Sequence, residues 1–155
     1  MLGALLSLDD MKNYTAELWP ALQTSITDGL GRNLSIYTSR TPSSGGLHLL
    51  FMNILDEVRL DPKNRTSAFN AHKTIEAMKF AYGHRGRFGD HNYWPMTKTL
   101  ADVQSKQYAK MLTKRLGKWN YISNDSRTYG GDEYFLTMLV LRLWLSLLLM
   151  VMLLL

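Results

Sequence analysis

Cysteine is absent from the 155-residue sequence, and its absence excludes several kinds of chemistry. Without thiols the chain has no disulfide framework, no thiolate zinc site and no cysteine nucleophile. Runs of like charge are also missing. The 18 Lys and Arg residues are spread along the chain among 13 Asp and Glu residues, which gives a net charge of +5. This pattern predicts a solvated surface of mixed charge rather than a face that binds nucleic acid.

The N-terminus lacks the features of a secretory signal peptide. The opening MLGALLSLDD has no basic residue, and its apolar stretch of about six residues is too short. A secreted form would therefore need a natural N-terminus that this chain does not carry. Four Asn-X-Ser/Thr triplets near predicted turns or element ends nevertheless favour an exported, glycosylated protein over chance. The candidate N-glycosylation sites are Asn13, Asn33, Asn64 and Asn124.

Hydrophobic spacing and turn residues predict one strand and three main helices. The β-branched and aromatic run at 33–39 predicts a strand, and RTPSSGG after it predicts a turn. Apolar residues recur at helical spacing over 47–58 and again over 67–84, and a third helix is predicted to begin near Ser105. A loop or a short helix, capped around Ser7 or Asp9, is expected at the start.

A helix-rich chain with one clear strand is unusual for a free-standing domain. A strand satisfies its backbone groups only within a sheet, so we expect its partners in sequence that is absent here. The prediction is an α+β fragment.

Three polar motifs are candidate sites, and each has a simpler interpretation. The glycines and arginines of GHRGRFGDH resemble a phosphate loop, but the Gly-Lys-Ser/Thr ending is missing, so the end of a helix followed by a turn is favoured. His84, Asp90 and His91 have the chemistry of metal ligands but not a rigid helical spacing. Ser43 and Ser44 lack the Gly-X-Ser-X-Gly pattern of a nucleophile and are interpreted as turn residues.

Five segments in the same order resemble the gamma-glutamyltransferase (glutathione hydrolase) family, at the C-terminal part of its large subunit. The resemblance covers about residues 8–135. Its segments are DDMKNYTAE, IYTSRTPSSGGLHLLFMNIL, AHKTIEAMKFAYGHRGRFGD, QSKQYAKMLTKRL and TYGGDEYF.

The resemblance implies part of an αββα sandwich of the N-terminal-nucleophile hydrolases. In that family the precursor cuts itself before a threonine, whose free amino group then activates its own hydroxyl. The threonine takes the γ-glutamyl group from glutathione and passes it to water, an amino acid or a peptide. The resemblance further implies a glycosylated enzyme, secreted or on the outer face of the plasma membrane, with no cofactor. The implied partners are the rest of the large subunit and the small catalytic subunit.

The sequence departs from the family where the nucleophile is expected. The family has Gly-Thr at that point, whereas here Thr137 follows Leu136 and precedes a leucine-rich run. We therefore assign no catalytic, substrate-binding or metal-binding residue. The domain prediction is a partial large-subunit region at 1–134 and a hydrophobic tail at 135–155. The chain alone is expected to be inactive. The alternative is a small basic binding module tethered to a membrane by its tail, without catalysis.

The tail is long enough to span a membrane, but its only cation, Arg142, lies well inside the apolar run. The genetic code favours another origin. Read from the preceding third base, the codons for 138–141 can encode Asp-(Ala/Val)-Gly-Thr, and those for 150–152 can encode Asp-Gly-Asp. The family shows the same two motifs at that separation. A shifted reading frame near Thr137 is therefore predicted, with a true anchor as the alternative.

Overall fold

A computed structural model describes residues 6–115 and 122–131 of the chain. Within them the fold is helix-rich α+β, as the sequence predicts. The helices are α1 Leu8–Asn13, α2 Gly45–Val58, α3 Ala68–Gly83, α4 Thr97–Gln104 and α5 Lys106–Arg115. The strands are β1 Leu22–Thr27 and β2 Asn33–Thr38, and short 3-10 turns occur at Arg85–Arg87 and Ser126–Tyr129.

The first helix begins where the sequence predicts, because Ser7 and Asp10 cap it reciprocally. The Ser7 Oγ accepts a hydrogen bond from the Asp10 amide at 3.2 Å, and the Ser7 amide donates to Asp10 Oδ2 at 2.8 Å. Together these bonds satisfy backbone groups that the first turn leaves unpaired.

The predicted strand at 33–39 is confirmed as β2, but the expectation that its partners lie outside the chain is wrong. Antiparallel β1 pairs with it along its whole length, from Leu22 opposite Thr38 to Thr27 opposite Asn33. The signal was present in the sequence, since LQTSIT alternates apolar or β-branched residues with polar ones before the turn at Asp28. The alternating burial along β1 shows that one face of this hairpin packs inward.

The central helix of the fold is α2, which contacts the hairpin, α3, α4 and α5. It begins at Gly45, two residues before the predicted start, and Leu49, Leu50 and Ile54 are completely buried on it. The predicted turn before it is also confirmed, because the Ser43 amide donates to the Arg40 carbonyl at 3.1 Å. α2 therefore fixes the position of every other main element.

The helix α3 forms at the predicted place, capped by Ser67, but its buried side agrees with the prediction only in part. The spacing predicts a wide apolar side with Ile75, Met78, Phe80, Ala81 and Tyr82 and a more polar side with Lys73, Glu76 and Lys79. Phe80 and Ala81 are buried, as this pattern predicts. In the structure Glu76 is 1% exposed, whereas Tyr82 is 74% exposed. The reason is that hydrogen-bonding partners for the Glu76 carboxylate come from another part of the chain.

The third predicted helix is confirmed as α5, and α4 was missed. The Ser105 Oγ accepts from the Tyr108 amide at 3.2 Å, as expected of a capping residue. α4 was hidden because it is only eight residues long and has a low mean hydropathy, although Leu100 and Val103 are buried. The spacing of α5 predicts one apolar face with Tyr108, Met111, Leu112 and Leu116. Leu112 is buried as predicted, Met111 is 44% exposed, and Leu116 lies outside the described residues.

Two apolar clusters form the core around α2. The larger lies between α2, α3 and α5, and the smaller joins Leu22 of β1 with Leu49, Met96 and Leu100; Phe88 packs against both. None of the helices within 6–115 and 122–131 is both long and apolar enough to cross a membrane. The hydrophobic tail at 135–155, with Thr137, lies outside the described residues.

Candidate functional site

A buried polar cluster joins α3 to the last described segment, residues 122–131. We call Glu76, Lys79, Ser123 and Tyr129 the polar clamp. The Tyr129 hydroxyl donates to Glu76 Oε2 at 2.5 Å and accepts from the Ser123 amide at 3.0 Å. Lys79 Nζ donates to Glu76 Oε1 at 2.9 Å and to the Tyr129 hydroxyl at 3.2 Å. Each polar group of the clamp therefore has a partner, as a buried network requires.

The charges of the clamp neutralise each other, with the Glu76 carboxylate almost completely buried and the Lys79 side chain 33% exposed. Burial lowers the pKa of Lys79, but its hydrogen bonds to Glu76 and Tyr129 outweigh that effect and raise the pKa above the ordinary value. The Lys79 ammonium also lies 4.8 Å from the centre of the Tyr129 ring, within the range of a cation–π contact. The clamp thus holds an ion pair between Lys79 and Glu76.

Two glycines let the same segment approach the end of α3 closely. A Cβ on Gly83 would lie 2.2 Å from the Tyr129 carbonyl oxygen, so no larger residue fits there. Gly130 has φ of +85° and sits against the His84 ring, where a Cβ would be 2.7 Å from Cε1. The chain is therefore fixed on α3 up to Gly131, directly before the residues that resemble the approach to the family's nucleophile.

His84 is a structural residue of this junction rather than a metal ligand. Its Nδ1 lies 2.7 Å from the Phe80 carbonyl, which can only accept, so Nδ1 carries the proton and Nε2 accepts from the Tyr108 hydroxyl at 2.7 Å. Burial raises the pKa of Tyr108, whose hydroxyl also accepts from Arg87. Both ring nitrogens of His84 are therefore occupied.

The other two metal-ligand candidates, Asp90 and His91, lie together. His91 Nδ1 is 3.7 Å from Asp90 Oδ1, and His91 Nε2 is 3.3 Å from Glu17. Within residues 6–115 and 122–131, no group of three His, Asp or Glu side chains is placed to hold a metal ion. The Arg-Gly-rich stretch forms the predicted helix end and 3-10 turn.

An open cleft of about 720 Å³ lies beside this junction, and residues of the GHRGRFGDH motif form part of its wall. We call it the aromatic cleft, after the four side chains that line much of it: Phe88, Tyr93, Trp94 and Tyr108. Its charged lining includes Lys98 and Asp102, whose side chains pair at 2.7 Å. Its walls suit an apolar or aromatic group, and they include both Tyr108 and His84, which bind each other.

The four candidate glycosylation sites all lie on the surface of the described chain. Each of the asparagines at 13, 33, 64 and 124 is exposed, so an oligosaccharide would meet no steric barrier within the described residues. Glycosylation itself stays a prediction.

Comparison with known proteins identifies one family whose sequence model matches residues 1–135, described as Gamma-glutamyltranspeptidase. Glutathione hydrolase 2 of Arabidopsis thaliana is 30% identical over 134 residues, which are 85% of this chain and 21% of that protein. Glutathione hydrolase proenzyme 2 of Schizosaccharomyces pombe is 31% identical over 132 residues, 85% of this chain and 20% of that protein. Scoloptoxin SSD14 of Scolopendra dehaani is 24% identical over 136 residues, again 85% of this chain and 22% of that protein. The chain thus spans about a fifth of the length of these curated relatives.

Proposed function

The chain belongs to the gamma-glutamyltranspeptidase family, and from this membership we propose that it is part of the large subunit of a gamma-glutamyltransferase, or glutathione hydrolase. The complete enzyme would cleave the γ-glutamyl bond of glutathione and transfer the group to water, an amino acid or a peptide. Relatives named proenzymes support a precursor that matures into two subunits. The expected partners are accordingly the remainder of the large subunit and the small catalytic subunit.

The observation that carries this proposal is the polar clamp. It fixes residues 122–131 on α3 through the 2.5 Å bond between Tyr129 and Glu76. In the complete precursor the same clamp would hold the chain just before the self-cleavage point. A scissile peptide must be held close to its attacking hydroxyl, and a fixed approach lowers the entropy cost of reaching that geometry. The chain's role would then be to position the cleavage segment rather than to supply the nucleophile.

The outer edge of β2 supports the proposed αββα sandwich. The amides of Gln23 and Thr27 in β1 point away from β2, where the side chains of Gln104 and Asp56 accept them at 3.0 and 2.8 Å. Since antiparallel pairing alternates, Ser35 and Tyr37 direct their backbone groups to the opposite edge, where the described chain offers no partner. An edge of this kind fits the continuation of a sheet by a strand from the rest of the enzyme.

Activity requires the missing Gly-Thr pair, so we expect this chain by itself to be inactive. No Gly-Thr occurs anywhere in the sequence. Purified 1–155 should release no glutamate from a γ-glutamyl anilide, and measurable release would contradict this part of the proposal.

The proposal is tested by a chimera in which residues 8–131 replace the matching segment of the fission-yeast relative. We expect the soluble chimera to cleave itself and to hydrolyse a γ-glutamyl anilide. A second chimera with Glu76→Gln and Tyr129→Phe should cleave more slowly, while a control with Tyr82→Phe should match the first chimera. A folded, soluble chimera that neither cleaves itself nor hydrolyses the substrate would contradict the proposal.

Two further proposals concern the origin of the tail and the cellular location of the enzyme. We propose that residues 135–155 arise from a shifted reading frame, and that the complete enzyme is glycosylated and faces the cell exterior. The nucleotide sequence around the codons for 135–138 tests the first point. A Gly-Thr pair in the neighbouring frame, followed about nine codons on by Asp-Gly-Asp, is expected from the family pattern. A leucine tail in the genomic exon, without that pair in any frame, would instead favour an anchor.

A further inference from the structure

The aromatic cleft includes two large aromatic side chains that are mostly exposed. Tyr93 is 86% exposed and Trp94 is 56% exposed, whereas Phe88 is partly buried and packs against both core clusters. The cleft volume of about 720 Å³ lies within the range of sites that hold a ligand, about 300–1,000 Å³. An exposed apolar surface in such a concave place is typical of an interaction site.

The walls of the cleft are held in place by hydrogen bonds of the described chain. The backbone amides of Tyr93 and Trp94 both donate to the Asp90 carbonyl, at 3.1 and 2.9 Å, which fixes the loop that carries the two rings. Deeper in the cleft, the Tyr108 hydroxyl lies 2.7 Å from Nε2 of His84, a residue that is only 2% exposed. The cleft is therefore formed in advance, and an occupant would not have to order its walls.

The last described residue of the chain, Gly131, lies next to a residue that contacts the cleft lining. A Cβ on Gly130 would lie 2.7 Å from Cε1 of His84, and His84 lines the cleft. The Gly131 amide donates to the Ser126 carbonyl at 2.9 Å, which fixes the backbone directly before residue 132. An extended chain advances about 3.3–3.6 Å per residue, so residues 132–135 can reach about 14 Å from Gly131. The chain that follows Gly131 therefore begins within reach of the cleft.

The next four residues have side chains that match the cleft. Asp132 and Glu133 carry carboxylates, and Tyr134 and Phe135 carry aromatic rings. Aromatic rings pack favourably against other rings in edge-to-face or offset arrangements. The aromatic walls of the cleft therefore suit the last two residues of this segment.

The charge nearest to the start of the segment is positive. Arg87 lines the cleft and donates to the Tyr108 hydroxyl at 3.2 Å, while the same hydroxyl contacts His84. Since Gly130 touches the His84 ring, the Arg87 guanidinium lies close to the place where the chain leaves Gly131. A guanidinium forms strong hydrogen bonds with carboxylates, so the two acidic residues after Gly131 suit this end of the cleft.

The two carboxylates of the cleft lining are already engaged by groups of the described chain. Asp102 pairs with Lys98 at 2.7 Å. Asp90 accepts from the Asn92 amide at 2.9 Å, within its own turn. Because these partners offset the negative charge, the lining does not exclude an acidic segment.

The segment also has an advantage over a separate ligand. It is attached to the fold at Gly131, so its binding to the cleft is intramolecular, and a short linker gives an effective concentration in the millimolar range. A free aromatic molecule or a second copy of the chain loses translational and rotational freedom on binding, whereas an attached segment does not. Residues 132–135 also precede the frame shift predicted near Thr137, so they are the same whatever the origin of the tail.

From these observations we propose that the aromatic cleft holds residues 132–135 of this chain. The two rings of the segment pack against Trp94 and Tyr108, and its two carboxylates lie toward Arg87. The polar clamp and the cleft then hold the chain on both sides of Gly131. This interaction depends only on groups of this chain and not on the activity of a larger enzyme.

The first test places a photoreactive aromatic residue in the segment. The full chain, kept soluble in detergent micelles, carries benzoylphenylalanine in place of Phe135, and cross-linked peptides are identified by mass spectrometry after irradiation. We expect cross-links within one chain to residues 86–108. The same photoreactive residue in place of Tyr37, which is 66% exposed on β2, should give none there. Cross-links only between two copies, or none to residues 86–108, would overturn the proposal.

A double-mutant cycle measures the contact without a photoreactive group. Phe135→Ala and Trp94→Ala are made singly and together in the full chain, and the unfolding equilibrium constant is measured in urea. We expect the combined effect to differ from the product of the single effects by about fivefold, because the two rings contact each other. Phe135→Ala combined with Tyr37→Ala should show no such difference. Independent effects in both cycles would overturn the proposal.

A competing ligand shows whether the segment occupies the cleft. Indole is titrated into the full chain and into the Tyr134→Ala/Phe135→Ala variant, and the NMR signal of the Trp94 indole N–H is followed. We expect the variant to bind indole at least about tenfold more tightly, because the attached segment no longer competes. Equal affinity for both chains would mean that the cleft takes a separate aromatic ligand, and would overturn the proposal. None of the three measurements uses enzymatic activity, so their outcome is distinct from that of the proposed function.

Discussion

The two sides of the molecule differ in how far their polar groups are satisfied. Where α3 meets residues 122–131, a carboxylate that is 1% exposed has both a tyrosine hydroxyl and an ammonium group as partners. At the hairpin, the outward amides of Gln23 and Thr27 in β1 are accepted by side chains, but those of Ser35 and Tyr37 in β2 have no partner in the described chain. One side is closed by its own residues, and the other ends in an open edge.

The comparison separates the polar groups that the described chain satisfies itself from those that a further strand would satisfy. Closed polar networks are costly to disturb, because every group removed leaves a buried partner unpaired. An open strand edge tolerates change in isolation but matters once another strand joins it. Removing one hydrogen-bonding group should therefore lower the stability of the isolated chain more at the polar clamp than at the β2 edge.

The largest effect is expected in the apolar support of the closed side. Phe80 is completely buried and its ring meets that of Tyr129 at a centroid distance of 5.2 Å. Phe80→Ala should lower the free energy of unfolding by about 3–5 kcal/mol, through lost burial and a cavity. Tyr82→Ala, on the exposed side of the same helix, should change it by less than about 0.5 kcal/mol. Urea unfolding followed by circular dichroism measures both, and similar losses would place the core elsewhere.

The clamp itself comes next. Tyr129→Phe keeps the ring and removes the hydroxyl that Glu76, Lys79 and the Ser123 amide share. We expect a loss of about 1–3 kcal/mol, together with faster hydrogen exchange at the Ser123 amide. Tyr93→Phe, which changes an 86% exposed residue, is the matched control. Unchanged exchange at Ser123 in the Tyr129 variant would mean that the hydroxyl does not hold the segment.

A smaller effect is expected where a side chain seals the β1 edge. Asp56 accepts from the Thr27 amide and from Lys106 Nζ, each at 2.8 Å. Asp56→Asn should cost about 1–2 kcal/mol at neutral pH, whereas Glu57→Gln on the exposed neighbour should cost almost nothing.

The same residue predicts a dependence on pH. Burial raises the pKa of Asp56, but the hydrogen bonds from Lys106 and Thr27 outweigh it and hold the pKa below the ordinary 3.8. The carboxylate therefore stabilises the fold above pH 3.8, and this contribution is lost as the pH falls through the lowered value. Asp56→Asn should remove that part of the acid dependence in melting experiments. If the melting temperatures of both chains fall identically in acid, the Asp56 carboxylate does not stabilise the β1 edge.

The smallest effect is expected at the open edge. Ser35→Pro removes an amide hydrogen that has no partner in the described chain, so it should cost at most about 1 kcal/mol in the isolated chain. Thr27→Pro removes an amide that Asp56 accepts and should cost more, which compares the two edges directly. If both proline variants lower the free energy of unfolding equally, the Ser35 amide has a hydrogen-bond partner and the β2 edge is not open.

Sequence reasoning located most helices because their signals are local. The apolar spacing of α2 and the capping serines at 7, 67 and 105 depend only on neighbouring residues. β1 and α4 were missed because patterns of only six and eight residues are too short to stand out.

The polar clamp could not be predicted from local signals. Glu76 looked like a surface residue of α3, since its partner Tyr129 is 53 positions later in the chain. Only the family resemblance linked the two residues, because its segments include both α3 and TYGG.

The bond between Glu76 and Tyr129 also has a consequence for the order of events on the ribosome. A nascent chain emerges from its N-terminus, so Glu76 is synthesised 53 positions before the hydroxyl that its carboxylate accepts from. This side of the molecule can therefore close only after synthesis has passed Tyr129.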